Sequence, residues 1–182
     1  SLIDSFLVEA FSDYEEVDVL RIVDGDTILV HNGTDELKVR LLGINSPEKG
    51  ERGSWEATEF LEKSILNETV NLHFTGEKKD RYGRLLAYIF LYDKNINLES
   101  VREGFSNYYF PSGVSMFTKD FQKAWMDCLD EGSNLCLKSD NSCIDIYSVD
   151  FELQILFLKN NCPFNVSLEG WSLKDEGRKK IL

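Results

Sequence analysis

Three short stretches of this 182-residue chain bring together residue types that could do chemistry. Residues 39–48 read V-R-L-L-G-I-N-S-P-E, an apolar run with Arg40 inside it and with Asn45, Ser46 and Glu48 grouped around Pro47 at its end. A charge inside such a run is costly to bury unless it is paired or faces a cleft. Arg40 and Glu48 are therefore read as facing one pocket, with Asn45 and Ser46 beside them; the alternative is an edge strand whose arginine points at water. Upstream, V-D-G-D-T at 23–27 sets Asp24 and Asp26 around an Asp-Gly hairpin turn. Downstream, D-R-Y-G-R at 80–84 ends in Arg84, directly before the apolar run 85–91. Together the stretches offer hard oxygen ligands for a divalent cation, a carboxylate able to act as base, and two guanidiniums. Phosphodiester cleavage needs that set: a hard cation takes carboxylate, carbonyl and water oxygens and neutralises phosphate charge. Planar arginine forks match phosphate oxygens and hold charge that builds in the transition state.

In this order and spacing, D-G-D-T, V-R-L-L-G-I-N-S-P-E and D-R-Y-G-R-L-L-A-Y resemble the signature of the staphylococcal nuclease (thermonuclease) family, over residues 17–137. The resemblance implies an α+β fold, a five-stranded OB-fold barrel with three helices, and a calcium-dependent nuclease acting on single-stranded DNA and RNA. It puts Arg40, Glu48 and Arg84 on the family's catalytic positions and Asp26 on its metal carboxylate. Asn45 and Ser46 stand where the family usually has Asp and Thr, so the metal position carries one charge fewer. Arg81 and Tyr82 fall where the family contacts a terminal 5′ phosphate, and the implied products carry 3′ phosphates. The implied mechanism holds the ion by Asp26, Asn45, the Ser46 carbonyl and, through water, Glu48.

The elements that must position these groups follow from periodicity. Residues 17–23, 27–31 and 36–44 read as three antiparallel strands, with turns at Asp24-Gly25 and Asn32-Gly33. That meander brings the Asp26 turn beside the end of the third strand, and Pro47 holds the corner at Ser46 extended. A short polar loop, 49–53, leads to a helix capped by Ser54 with Ala57, Phe60, Leu61, Ser64 and Ile65 on its inner face. The loop is shorter than the family's usual active-site loop. Trp55 is read as core rather than substrate-facing. Residues 69–75 alternate as a strand with His73 outward and solvated, and 85–91 form a central strand. A short helix at 97–103 stops at Gly104, and a last helix spans 118–131, ending at Gly132. Between them lie Tyr108, Tyr109 and Phe110, read either as base-stacking or as packing residues.

Composition bounds the rest. The length allows one ordinary domain plus an appendage, and no apolar run approaches a membrane span. The net charge of −12 argues against generic nucleic-acid binding. It is unevenly spread: residues 38–84 hold nine basic against eight acidic residues, whereas 1–37 hold ten acids and one base. The site region is the least acidic part of the protein, so dependence on a bound cation is expected.

Residues 1–11 space Leu2, Ile3, Phe6, Leu7, Ala10 and Phe11 as a helical face without a signal peptide's basic start. An acidic linker follows, giving an N-terminal extension of 1–16. Four cysteines allow three pairings. They favour an exported protein with Cys143–Cys162 and Cys128–Cys136 bonded, against reduced thiols in a cytosolic one; the spacings do not suit zinc. Beyond 137, strand-like runs at 143–149, 151–158 and 166–173 resemble the start of a lamin-tail domain, an immunoglobulin-like sandwich, within an extension of 138–182. Left unpaired, these strands would favour a homodimer. Two rival readings remain: a nuclease-like OB-fold that binds nucleic acid or protein with weak catalysis, and a surface or interaction protein whose C-terminal strands do the work.

Overall fold

The computed structural model describes residues 14–111, 113, 115–137, 143–150, 152–169, 171, 173–174 and 180–181. The chain divides into two compact units, Ser1–Leu137 and Lys138–Leu182. The helix expected over 1–11 lies outside the described residues, as does the linker at 138–142.

In the first unit, β1 (Tyr14–Asp24), β2 (Thr27–His31), β3 (Glu36–Leu41), β5 (Thr69–His73) and β6 (Leu85–Leu91) close into a five-stranded barrel. Closure depends on β1. Its first half pairs with β5, from Tyr14 opposite His73 to Asp18 opposite Thr69, and its second half pairs with β2, down to Asp24 opposite Thr27. Register shifts beside Leu20 and Val23 turn the strand between its two partners. Each shift breaks the two-residue alternation, which is why Val17, Val19 and Ile22 are buried while Leu20 and Val23 face out. The last seam is parallel: β3 lies against β6 with Val39, Arg40 and Leu41 opposite Leu85, Leu86 and Ala87.

Tyr14–Glu16 thus belong to β1 rather than to an acidic linker, because Tyr14 pairs with His73 and their rings stack. His73 is not the solvated residue expected. It is half-buried between Tyr14 and Phe90, 4.4 Å from the latter's ring centre, and burial lowers its pKa. The expected strand 36–44 also breaks in two. Gly43, at φ +75, has no room for a side chain, since a Cβ would lie 3.2 Å from both the Phe110 and Tyr88 rings. The chain kinks there, and β4 (Ile44–Asn45) pairs instead with β8 (Asn107–Tyr108); β7 (Lys94–Asn95) extends β6.

Three helices accompany the barrel among the described residues: α1 (Ser54–Ile65), α2 (Ile96–Arg102) and α3 (Thr118–Glu131). The inner face of α1 buries Ala57, Leu61 and Ile65, and α3 contributes Phe121 and Ala124 to the core shared with Ile28, Val30, Val39, Leu41, Leu72 and Ile89. Each large side chain so buried is worth roughly 1.5–3 kcal/mol. Gly53, not Ser54, caps α1. Asn95 caps α2 by accepting from the Leu98 amide at 3.1 Å, and Gly132 ends α3 in the left-handed region at φ +70. Past α3, a single 3₁₀ turn at Asn134–Cys136 is bonded back to the helix through the Cys128–Cys136 disulfide.

The second unit holds an antiparallel pair, β9 (Ile144–Asp150) and β10 (Ile155–Asn160), and a short pair, β11 (Leu173–Lys174) and β12 (Lys180–Ile181). The Cys143–Cys162 disulfide closes the base of the first pair. Both disulfides are those favoured from the sequence. Residues 166–169 are not the expected strand: the Ser167 hydroxyl accepts from the Glu169 amide, and the Trp171 amide donates to the Leu168 carbonyl, which turns the chain locally.

Candidate active site

The site is built outward from a hairpin turn. Asp24 lies opposite Thr27, so the two loop residues are Gly25 and Asp26, one position later than the Asp-Gly signal suggested. The reason is close packing. A Cβ on Gly25 would lie 2.6 Å from Ala57 Cβ and 2.8 Å from Ser46 Cβ. Only a glycine lets the turn, the first turn of α1 and the residue after β4 meet at that point.

Asp26 is the hub. Its amide donates to Asp24 Oδ1 at 3.1 Å. Its Oδ1 accepts from the Thr27 hydroxyl at 3.1 Å, and its Oδ2 accepts from the Ser46 amide at 3.2 Å and pairs with Arg40 Nη2 at 3.0 Å. Arg40 sits opposite Thr27 in the β2–β3 ladder and also donates from Nη1 to its neighbour's carbonyl, Leu41 O, at 2.6 Å. Both side chains of the pair are only 10 % exposed. Arg40 is therefore not an edge residue pointing at water: its burial is compensated by a carboxylate and a carbonyl. Asp24 shares the turn, and burial first, then the charge of Asp26, raises its pKa above the ordinary carboxylate value.

Glu48 follows from chain continuity. Ser46 and Pro47 are buried and Glu48 is exposed. Its backbone lies two residues from the amide bound to Asp26, within about 7–8 Å. The chain turns there, with the Glu51 amide donating to the Glu48 carbonyl at 2.8 Å and the Glu48 amide to Glu51 Oε2 at 2.9 Å. Asn45 is half-buried in β4, opposite Asn107.

Arg84 is set by a second turn that Asp80 organises. Asp80 Oδ1 accepts from the amides of Tyr82 (2.9 Å) and Arg84 (3.0 Å), and Oδ2 accepts from Arg84 Nε at 2.8 Å. Burial works to raise the Asp80 carboxyl, but the Arg84 side chain, the two amides and the Arg84 charge together hold its pKa below the ordinary value. The β3–β6 register then relates the two arginines. Arg40 is opposite Leu86. Arg84 precedes Leu86 by two positions and lies in the turn just before β6 begins at Leu85. Tyr82 is 69 % exposed, with the guanidinium of Arg81 4.9 Å and that of Arg84 5.6 Å from its ring centre.

The structure thus joins Asp26, Arg40 and Ser46 by direct contact, with Glu48 adjacent in the chain and Arg84 related by strand register. Tyr108, Tyr109 and Phe110 are all half-buried. Tyr108 packs edge-on against Trp125, Phe110 edge-on against Phe121, and the Tyr109 amide donates to the Gly43 carbonyl at 2.8 Å. Trp55, expected in the core, is 68 % exposed; it falls on the side of α1 away from Ala57.

Sequence reasoning missed Gly25 as a packing site and Asp80 as the residue that orients Arg84. It also missed Asn97, fully buried on α2, which accepts from the Ile89 amide (3.0 Å) and donates to the carbonyls of Leu42 (2.8 Å) and Ala87 (3.3 Å). Asn97 ties β6 to the end of β3 just before Gly43, and so fixes where β4 departs. A four-residue Asp-to-Arg spacing across a glycine turn was a readable signal for Asp80; a lone helical asparagine carries none.

A family model described as staphylococcal nuclease homologue matches residues 38–127. The thermonuclease of Staphylococcus hyicus is 30 % identical over 118 residues, covering 58 % of this chain and 70 % of that protein. The thermonuclease of Staphylococcus intermedius is 36 % identical over 92 residues, covering 47 % and 55 %. The SPbeta prophage-derived endonuclease YokF of Bacillus subtilis is 33 % identical over 155 residues, covering 71 % of this chain and 52 % of its own. The chain thus spans about half the length of the last two relatives. With a closed five-stranded barrel, a matched family model and one relative covered over more than two thirds of its length, this chain belongs to the staphylococcal nuclease family.

Proposed function

We propose that this chain is a metal-dependent nuclease that hydrolyses phosphodiester bonds of DNA and RNA. The observation that carries the reading is the buried Asp26–Arg40 pair, bonded to Ser46 at the end of β4, where the exposed Glu48 follows. The names of its relatives, thermonucleases and endonucleases, agree with it.

Glu48 is the general base. It is exposed beside the pair, where it can orient a water and take its proton as the oxygen attacks phosphorus. Arg40 and Arg84 hold the phosphoryl oxygens. Arg40 is oriented through Nη2 by Asp26 and through Nη1 by the Leu41 carbonyl, and Arg84 through its Nε by Asp80, so neither guanidinium has to be organised as charge develops. Arg81 and Tyr82, exposed on the same turn, bind a terminal phosphate, while Tyr108, Tyr109 and Phe110 support the β4 segment and border the substrate.

The donors suit calcium. Asp26, the Asn45 amide oxygen, the Ser46 carbonyl and, through water, Glu48 are all hard oxygens. Among the described residues no group of three or more His, Cys, Asp or Glu gathers, so a bound ion would rest on mixed carboxylate, amide, carbonyl and water oxygens. Bound there, the cation would withdraw charge from the phosphate. With Asn45 adding no charge, its affinity should be modest: Asn45→Asp is expected to lower the calcium concentration for half-maximal activity, read from a calcium titration of cleavage.

The direct test is cleavage of single-stranded DNA and of RNA by the purified chain in calcium and in chelator. Calcium-dependent fragments are expected. Binding without cleavage under any divalent ion would favour the binding-module reading.

We further read residues 138–182 as the opening of a lamin-tail-like unit. The β9–β10 pair leaves Ile146, Tyr147, Phe157 and Leu158 exposed, which suits a homodimer through these strands; sedimentation of the full chain checks it. All four cysteines are paired, which suits a secreted or extracytoplasmic setting. No helix among the described residues is long and apolar enough to cross a membrane.

A further inference from the structure

We infer that Leu135, held by the Cys128–Cys136 disulfide, is a positioning residue for Glu48, so that cleavage requires the oxidised pair; the inference rests on the role of Glu48 proposed above. A row of contacts carries it. Gly53, the cap of α1 at φ +89, is wedged between two side chains: a Cβ there would lie 3.3 Å from Leu135 Cδ2 and 3.4 Å from Pro47 Cγ. Pro47 is bonded to Glu48. Between Glu48 and Gly53 the loop closes on itself, through the Glu51 amide to the Glu48 carbonyl (2.8 Å) and the Ser54 amide to the Glu51 carbonyl (3.2 Å). The loop has two glycines at positive φ, Gly50 and Gly53, and little apolar surface of its own. Leu135 and Pro47 meet at the one point where a Gly53 side chain would begin, so Leu135 packs the end of the loop where Pro47 starts it.

Leu135 has its position from a crosslinked turn. Its amide donates to the Gly104 carbonyl at 3.0 Å, and the side chains of Asn134 (2.7 Å) and Ser133 (3.4 Å) donate to the Glu103 carbonyl. Asn134 takes φ +48, a left-handed conformation that asparagine adopts more readily than most side chains. The neighbouring Cys136 is buried and bonded to Cys128 at the end of α3. Two-electron reduction by an added dithiol, which leaves as its cyclic disulfide while each sulfur takes a proton, cuts that tether. The turn then relaxes, Leu135 withdraws from Gly53, and the loop that carries Glu48 loses the contact that fixes its far end. Misplacing a reacting group by about 1 Å can lower a rate as much as a hundredfold.

The test measures kcat and KM for single-stranded DNA with the full chain. Five variants are compared: Leu135→Ala, Leu135→Met, Cys136→Ser, Cys143→Ser and Glu48→Gln, the last two as controls. Circular dichroism confirms that each is folded. Leu135→Ala, with both disulfides intact, and Cys136→Ser should each lose about tenfold or more in kcat with KM unchanged, and Leu135→Met should recover it. Cys143→Ser should match the parent when oxidised and lose the same activity when reduced. If Leu135→Ala fails to fold, Leu135→Met and the reduced Cys143→Ser protein still decide. Parental kcat in Leu135→Ala, or in Cys143→Ser after reduction, would overturn the inference. An inactive Glu48→Gln beside a fully active Leu135→Ala would sink this inference alone, whereas a fully active Glu48→Gln would remove the reading beneath it.

Discussion

At the scale of single residues, the site depends on charges that are buried only because each has a partner. Arg40 and Asp26 are 10 % exposed and 3.0 Å apart. Removing one leaves the other uncompensated in the barrel wall, which typically costs about 3–5 kcal/mol. Arg40→Ala should therefore lose stability as well as activity, seen as a lower urea midpoint. Arg84 is different, being half-buried at the mouth of a turn. Arg84→Lys should keep the fold and lose on the order of 10²–10³ in kcat, because a point charge replaces a fork already oriented by Asp80. Asp80 also sets a pH dependence. Its pKa in the folded protein lies below the ordinary value. The stability it adds is therefore present above the unfolded-state carboxylate pKa and is lost as pH falls through the folded one. Asp80→Asn should flatten the acid limb of a stability-against-pH curve while leaving its neutral limb parallel to the parent's.

At the scale of elements, what matters is which segments are pinned to which. Gly25 lets the β1–β2 turn touch Ser46 and Ala57. Gly25→Ala should push those segments apart, lowering the melting temperature and weakening metal-dependent cleavage together; the two read side by side check it. Asn97 pins β6 to Leu42. Asn97→Ala strands the Ile89 amide and the Leu42 carbonyl, while the Ala87 carbonyl keeps the Leu42 amide; at about 1–3 kcal/mol for each group left unsatisfied, a denaturation midpoint measures the sum. These elements also show what could be read in advance. The spans of β2, β6 and α3 were legible to the residue, because alternation, an unbroken apolar run and a terminal glycine are local signals. That Arg40 is buried with a compensating partner was legible from a charge set inside an apolar run. The β3–β4 break and the Gly25–Asp26 turn were not, because their causes are Phe110, Tyr88, Ala57 and Ser46, side chains distant in sequence. The same holds for Tyr108 and Phe110: nothing local says that Trp125 and Phe121 will cover them.

For the whole molecule, a five-stranded barrel brings the β1–β2 turn, β3 and the end of β4 into direct contact through Asp26, Arg40 and Ser46. The parallel β3–β6 seam sets Arg40 opposite Leu86, two residues after Arg84. An acidic protein of net charge −12 should repel nucleic acid except where a cation intervenes. In the proposed mechanism Arg40, Arg84 and Glu48 act on one scissile ester, with Glu48 as base. The most direct measurement is single-turnover cleavage of single-stranded DNA by Glu48→Gln at saturating calcium, with binding of the same DNA measured in parallel. The account predicts binding close to the parent's and cleavage slower by about a hundredfold or more. Cleavage at the parent's rate would contradict it.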